Sequence, residues 1–200
     1  DILAFQDDFV HIEEKVDGGN GSFWVEADGL HVGTKNRDLT EEKDEETFAR
    51  QRKELAGILK GKEINPSYFY YIEWMARHTI NYSRAPQVIG LDIRLKRTMD
   101  ASEAGLFLAP EAKEKEFARL GIEFVPCIWK GKVSELKKTE VMRLIGPSKY
   151  YGGQMEGIVI KNYRNQNKQS IIFFFCKENK IEQFISRRHF NRKKYLAPPN

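Results

Sequence analysis

Residues 13–20 read Glu-Glu-Lys-Val-Asp-Gly-Gly-Asn, with a strand-prone run on each side. Phe9-Val10-His11-Ile12 leads in, and Phe23-Trp24-Val25 leads out. The pattern requires two strands with a glycine turn between them, and it puts Lys15 at the end of the first strand. A lysine ammonium is a poor nucleophile at neutral pH and becomes a good one when burial or a neighbouring cation lowers its pKa. The glycines that follow let a backbone approach a phosphate closely. On these eight residues alone a surface hairpin explains the pattern as well. The partners that a reactive lysine needs must therefore come from elsewhere in the chain.

Two hundred residues suit one domain with a real core. No apolar run approaches the roughly 18 residues of a membrane span, and no secretory leader precedes the first strand. Cys127 and Cys176 each lie in an apolar run. They are expected as buried thiols of a cytoplasmic or other intracellular protein, not as a disulfide. Together with the four histidines they do not form zinc spacing. A net charge of +4 permits an anionic partner without requiring one. Acid gathers between Glu41 and Glu46, and base gathers near the end, at Arg187, Arg188, Arg192, Lys193 and Lys194.

Along the chain, residues 8–16 read as a strand. Ser22 to Ala27 and Leu30 to Thr34 form a hairpin closed by Asp28-Gly29, a pair suited to a tight type I′ turn. Lys35-Asn36-Arg37 is either a solvated strand end or a segment that brings Arg37 to the pocket of Lys15. Residues 40–60 read as a helix capped by Thr40, with acids in its first turns and a stripe of Phe48, Leu55, Ile58 and Leu59. The acid run is expected as a solvated face. Tyr68 to Met75 is a strand too apolar to face water. Its one carboxylate, Glu73, either ends the strand in solvent or is aimed at a hydroxyl or a metal. A polar loop from Arg77 to Tyr82 follows, and then a strand over 88–94 with Asp92 inside it. Pro110 to Leu120 is a helix ended by Gly121. Residues 122–129 read as a strand and 134–145 as a helix. Glu156 to Lys161 reads as a strand whose alternation groups Gly157, Val159 and Lys161 on one face and Glu156, Ile158 and Ile160 on the other. An apolar strand over 171–176 ends on Lys177. From Ile181 the tail reads as helical, then basic.

Taken in order, these segments resemble the covalent nucleotidyltransferases: RNA ligases, DNA ligases and mRNA capping enzymes. The resemblance rests on Lys15-Val-Asp-Gly-Gly-Asn20, Ile72-Glu73-Trp74 through His78 to Tyr82, Gly90-Leu91-Asp92, Glu156-Gly-Ile-Val-Ile-Lys161, and Lys177. Asn20 and the Glu-Trp…His run are similar to ATP-dependent RNA ligases, especially those that seal nicked duplex RNA. DNA ligases and capping enzymes more often carry Arg where this chain has Asn20. The resemblance implies that Lys15 attacks the α-phosphorus of ATP to give a lysyl-AMP. The AMP then passes to an RNA 5′-phosphate, and a 3′-hydroxyl displaces it. It implies catalytic lysines at 161 and 177, which would lower the pKa of Lys15 and neutralise phosphates. It implies nucleotide contacts from Glu14, Val16, Asn20, Arg37, Glu73, Leu91 and Glu156, with Glu156 also a ligand for Mg2+ or Mn2+. Three positions depart from the family pattern. Ile72 stands where Gly is usual, Leu91 stands where an adenine-stacking aromatic is common, and Lys177 is followed by Glu178-Asn179-Lys180 where a second lysine one residue on is usual. The expected fold is α+β, a ligase-type nucleotidyltransferase fold with antiparallel sheets around a nucleotide cleft and flanking helices. The expected organisation is a domain over residues 1–185 and a basic tail over 186–200. Because the chain starts at Asp1 and no second domain can be read after 185, it is expected to be either a minimal ligase or the catalytic domain of something longer.

Overall fold

The computed structural model describes residues 6–34, 39, 45–76, 78–84, 86–96, 106–148, 155–163, 171–177 and 180–186. Among these, ten strands form two five-stranded sheets. The first sheet contains β1 (Phe9–Lys15), β7 (Cys127–Lys132), β8 (Gly157–Lys161), β9 (Ile171–Lys177) and β10 (Lys180–Ser186). Their order is β10-β9-β8-β1-β7. The second sheet contains β2 (Gly19–Glu26), β3 (Gly29–Thr34), β4 (Tyr68–Trp74), β5 (Val88–Leu95) and β6 (Glu123–Phe124). Their order is β3-β2-β4-β5-β6. Three helices accompany them: α1 (Glu45–Leu59), α2 (Pro110–Leu120) and α3 (Lys138–Leu144).

Each sheet has one apolar face, and the alternation of its strands produces it. In the first sheet Val10, Ile12, Ile158 and Ile160 are fully buried and pack with Val133, Val141 and Met155. In the second, Phe23, Tyr70, Ile72, Trp74 and Ile93 pack with Leu55 and Leu59 of α1 and with Phe117 and Leu120 of α2. A third cluster, Val16, Met75, Tyr82, Ile89 and Val125, sits where the chain passes from one sheet to the other, with Leu91 against it.

The lysine-to-glycine stretch is that passage. β1 pairs with β7 and β8, while β2 pairs with β3 and β4. The hairpin reading of residues 13–20 is therefore wrong: Val16-Asp17-Gly18 crosses between sheets. Glycine is needed there because a Cβ on Gly18 would lie 2.6 Å from the Trp74 carbonyl oxygen and 2.8 Å from Glu73 Cγ.

Other expectations need correction. The β2–β3 turn is one residue earlier than read, because Glu26 pairs with Gly29 and leaves Ala27-Asp28 as the loop. Gly29, with φ 132°, carries the backbone that other residues rarely adopt. The strand over 122–129 is two strands, since Pro126 lacks the N–H that a continuous ladder needs. The helix over 134–145 shortens to α3, preceded by a 3-10 turn over Val133–Glu135. Residues 180–186 are a strand, not a helix, because β9 offers a seven-pair antiparallel ladder that outweighs local preference. Gly121 ends α2 in the left-handed conformation, φ 68° and ψ 24°, as expected. Thr40, Arg37 and the basic residues from Arg187 onward lie outside the described residues.

Helix α2 seats on β5 at a glycine. A Cβ on Gly90 would lie 2.7 Å from three ring atoms of Phe117, a side chain with 0% exposure and no room to swing away. Gly90→Ala should therefore destabilise the fold by about 1–3 kcal/mol. Gly57→Ala, on the exposed side of α1 with nothing within 4 Å of its Cβ, should stabilise by about 0.5–1 kcal/mol. Urea unfolding of both variants measures the contrast.

Candidate active site

Strand alternation puts His11, Glu13 and Lys15 of β1 on the face opposite Val10 and Ile12. Across from them on β8 stand Lys161, Val159 and Gly157, paired with His11, Glu13 and Lys15 respectively. Gly157 presents no side chain beside Lys15. Lys15 Nζ donates to Glu156 Oε2, and the two side chains are 20% and 21% exposed. Glu156 thus joins the Lys15 face and not the face of Ile158 and Ile160 as expected. It stands one residue ahead of the ladder, where alternation no longer governs it. Burial raises the Glu156 carboxyl pKa above the ordinary value, against the pull of Lys15, and Asp17 adds to the rise.

Asp17 anchors the loop that follows β4. Its Oδ2 accepts the Thr79 N–H (2.5 Å), the Thr79 hydroxyl (2.7 Å) and the Ile80 N–H (2.9 Å). Its own N–H donates to the Tyr82 hydroxyl at 2.8 Å. Burial works against the charged form, but the Thr79 hydroxyl and the Ile80 and Thr79 amides outweigh it and hold the carboxyl below the ordinary range. The polar run from His78 to Tyr82 therefore fixes the turn behind Lys15.

Asn20 and Glu73 are paired neighbours on β2 and β4, so their side chains share one face. Both are half-buried. Further along that face come Ser22, Tyr71 and Asp92, paired in a row. Asp92 reaches Lys161 of the other sheet at 2.8 Å. The polar face of the second sheet therefore looks onto the Lys15 face of the first, and the site lies between them. Leu91 is the extra residue of a bulge in β5, because Tyr71 pairs with Asp92 but Ile72 pairs with Gly90. The bulge sets Leu91 against the Val16 cluster.

Two expectations shift. Glu14 is 1% exposed and pairs with Ile158, so alternation turns its side chain to the face of Val10 and Ile12, away from Lys15. Among the described side chains, the charge set against Lys15 is the Glu156 carboxylate. Lys161 stands opposite His11, four residues from Lys15 along β1, and Glu13 Oε2 at 2.5 Å and Asp92 Oδ2 at 2.8 Å already meet its charge. Burial would lower the Lys161 pKa, but Asp92 and Glu13 together push it well above the ordinary value. Lys177 ends β9, and its side chain lies outside what is described.

Sequence reading missed Glu13, Lys113 and Tyr163 altogether and left Asp92 without a role. Lys113 of α2, with 0% exposure, donates to Glu13 Oε1 at 2.6 Å, to the Leu91 carbonyl at 3.2 Å and to the Tyr163 hydroxyl at 3.3 Å. The Tyr163 hydroxyl also lies 3.1 Å from Asp92 Oδ1. A signal existed: the buried residues of α2 are Pro110, Lys113, Phe117 and Leu120, so a lysine occupies an apolar helical stripe.

Among the described residues no group of three or more His, Cys, Asp or Glu side chains could hold a metal ion. Any divalent ion would need oxygens from a bound phosphate to complete its shell. Among the described residues no helix is long and apolar enough to cross a membrane. Cys127 is a free, half-buried thiol.

The crossover thus carries a lysine that faces Glu156 on its own wall, with Glu73 and Asp92 on the other. The RNA ligase family model matches residues 8–175, and the chain belongs to that family. A search of curated protein sequences found no match. Among solved structures, an apo variant of Naegleria gruberi RNA ligase aligns with a TM-score of 0.57 and 16% identity, over 96% of this chain and 53% of that one. A lysine-to-alanine variant of the same ligase with ATP and Mn aligns with a TM-score of 0.58 and 16% identity, over 94% and 53%. The form with PPi aligns with a TM-score of 0.57 and 17% identity, over 92% and 51%. The likeness shows the fold: α+β, antiparallel sheets, few helices. The chain spans about half the length of these structures.

Burial disfavours a charged Glu13, but Lys161 and Lys113 outweigh that and hold its carboxyl below the ordinary value of 4.5. A depressed carboxyl contributes stability above its unfolded pKa and loses it as pH falls through the folded one. The melting temperature of the wild type should therefore exceed that of Glu13→Gln near pH 7. The gap should narrow as the pH drops below 4.5, as thermal melts across an acid series would show.

Proposed function

We propose that the chain is the adenylating part of an ATP-dependent RNA ligase with Lys15 as the nucleophile. The observation that carries this reading is the position of Lys15. It ends a rigid strand at the rim of the cleft, against Glu156, with Asn20 and Glu73 on the opposite wall. The Lys15 amine attacks the α-phosphorus of ATP, a P–N bond forms, and the bond to the leaving pyrophosphate breaks. The AMP passes to an RNA 5′-phosphate, and the 3′-hydroxyl of the other strand displaces it as the phosphodiester forms. Transfers of this kind depend mainly on positioning and charge neutralisation.

In this reading Val16 and Leu91 form the apolar wall beside the base, with Leu91 in place of a stacking aromatic. Asn20 and Glu73 contact phosphate or ribose. The Glu14 carboxylate faces away, so its contact with the nucleotide would be through the backbone. Glu156 would hold Mg2+ or Mn2+ together with nucleotide oxygens, and Asp17 lies close enough to influence its charge. The ion supplies neutralisation of phosphate charge when bound. Naegleria gruberi RNA ligase structures carrying ATP or AMP with Mn support a nucleotide and a divalent ion here, without bearing on which residue holds the ion. Arg37 and Lys177 keep the phosphate roles that the resemblance implies. Lys161, with its charge already paired, holds the walls of the cleft together. The partner is RNA with 5′-phosphate and 3′-hydroxyl ends, and the compartment is the cytoplasm, in keeping with the free thiol of Cys127.

Incubation with α-labelled ATP and magnesium should label the protein covalently, and Lys15→Ala should abolish the label. Glu156→Ala and Lys161→Ala should each reduce it by at least about tenfold. Absence of label on metal-replete wild type would overturn the enzyme reading in favour of a non-catalytic RNA-binding relative. Label from GTP instead of ATP would turn it towards a capping-type enzyme.

A further inference from the structure

Four charged side chains are enclosed between the sheets and α2. Glu13 is 2% exposed, Asp92 7%, Lys113 0% and Lys161 5%. Two carboxylates face two ammonium groups, so the enclosed charge sums to zero, the arrangement in which buried ions are tolerated. The group spans four elements: Glu13 from β1, Asp92 from β5, Lys113 from α2 and Lys161 from β8. Tyr163 closes it with one hydroxyl shared among Glu13, Asp92 and Lys113.

Two of its contacts touch the proposed nucleotide site directly. Glu13 is two residues before Lys15 on the same face of β1. The Leu91 carbonyl, at the bulge that aims Leu91 into the Val16 cluster, accepts from both Lys113 at 3.2 Å and Lys161 at 3.1 Å. The nucleophile is on one wall and Leu91 on the other, and the two lysines set the separation. Lys161 belongs to the strand that follows Glu156, so its place was readable from the motif. Lys113 comes from a helix packed on β5 and belongs to none of the segments that carry the family resemblance.

We propose that Lys113 is a positioning residue for adenylation: by holding Glu13 and the Leu91 carbonyl together it fixes the distance between Lys15 and the wall against which the base rests. The proposal rests on the ligase reading. A small misplacement of reacting groups costs rate steeply, while the fold needs only that the charges be balanced or absent.

Lys113→Met keeps the length of the side chain and removes its charge and donors. The folded variant, verified by circular dichroism and assayed well below its melting temperature, should adenylate Lys15 about ten- to a hundredfold more slowly at saturating ATP. Glu13→Gln should slow the same step, and the double variant should be no slower than the worse single one, because both act through one contact. A purely structural lysine would lower the melting temperature and leave the labelling rate of the folded protein unchanged. That result, or additive losses in the double variant, overturns the proposal. If Lys113→Met does not fold, Lys113→Arg carries the test, since it keeps the charge balance and displaces the donor from Glu13 and the Leu91 carbonyl. Slower labelling supports the proposal, and wild-type labelling overturns it. Wild type that takes no label overturns the ligase reading and this proposal with it, whereas labelled wild type with an unaffected folded variant overturns the proposal alone.

Discussion

The two sheets are joined by a buried pairing of opposite charges. Isolated, any one of Glu13, Asp92, Lys113 or Lys161 would carry a large desolvation cost. Together they cancel, and each is held by hydrogen bonds of 2.5 to 3.4 Å to another member, to the Leu91 carbonyl or to Tyr163. An apolar clasp would bury more surface and would not prescribe geometry so narrowly. The apolar faces of both sheets are taken up elsewhere, against α1, α2 and the cluster that includes Val141 of α3.

The second constraint is the crossover. Lys15-Val16-Asp17-Gly18 leaves one sheet and enters the other, and each residue contributes something different. Lys15 faces the cleft, Val16 is buried in the junction cluster, Asp17 holds the Thr79–Ile80 loop, and Gly18 passes under Trp74. A side chain at the fourth position would meet backbone within 2.6 Å. The spacing of the motif is thus a packing requirement as much as a chemical one.

Much of this was readable from residues alone. Alternation over β1, β4, β5 and β8 located the strands to within a residue or two, and Pro110 and Gly121 bounded α2. The ordered carboxylates and lysines pointed to the family that the comparison then showed. Where the reading failed, the cause was a partner distant in sequence. Residues 180–186 became a strand because β9 lies beside them. Glu156 turned to Lys15 because the ladder begins one residue later. Lys161 stands opposite His11 and not beside Lys15 because of the β1–β8 register, and Asp92, on another sheet, is its counterion.

Local periodicity and the chemistry of single residues determined the α+β class, the lysine at a glycine turn and the order of the site segments. These depend on neighbours within a few positions, which a sequence displays. Tertiary structure alone decided that the turn is a crossover, that Asp92 of one sheet meets Lys161 of the other, and that Lys113 joins the buried charges from a helix. Those outcomes depend on which groups desolvate together, and a buried charge is acceptable only where the fold supplies its opposite.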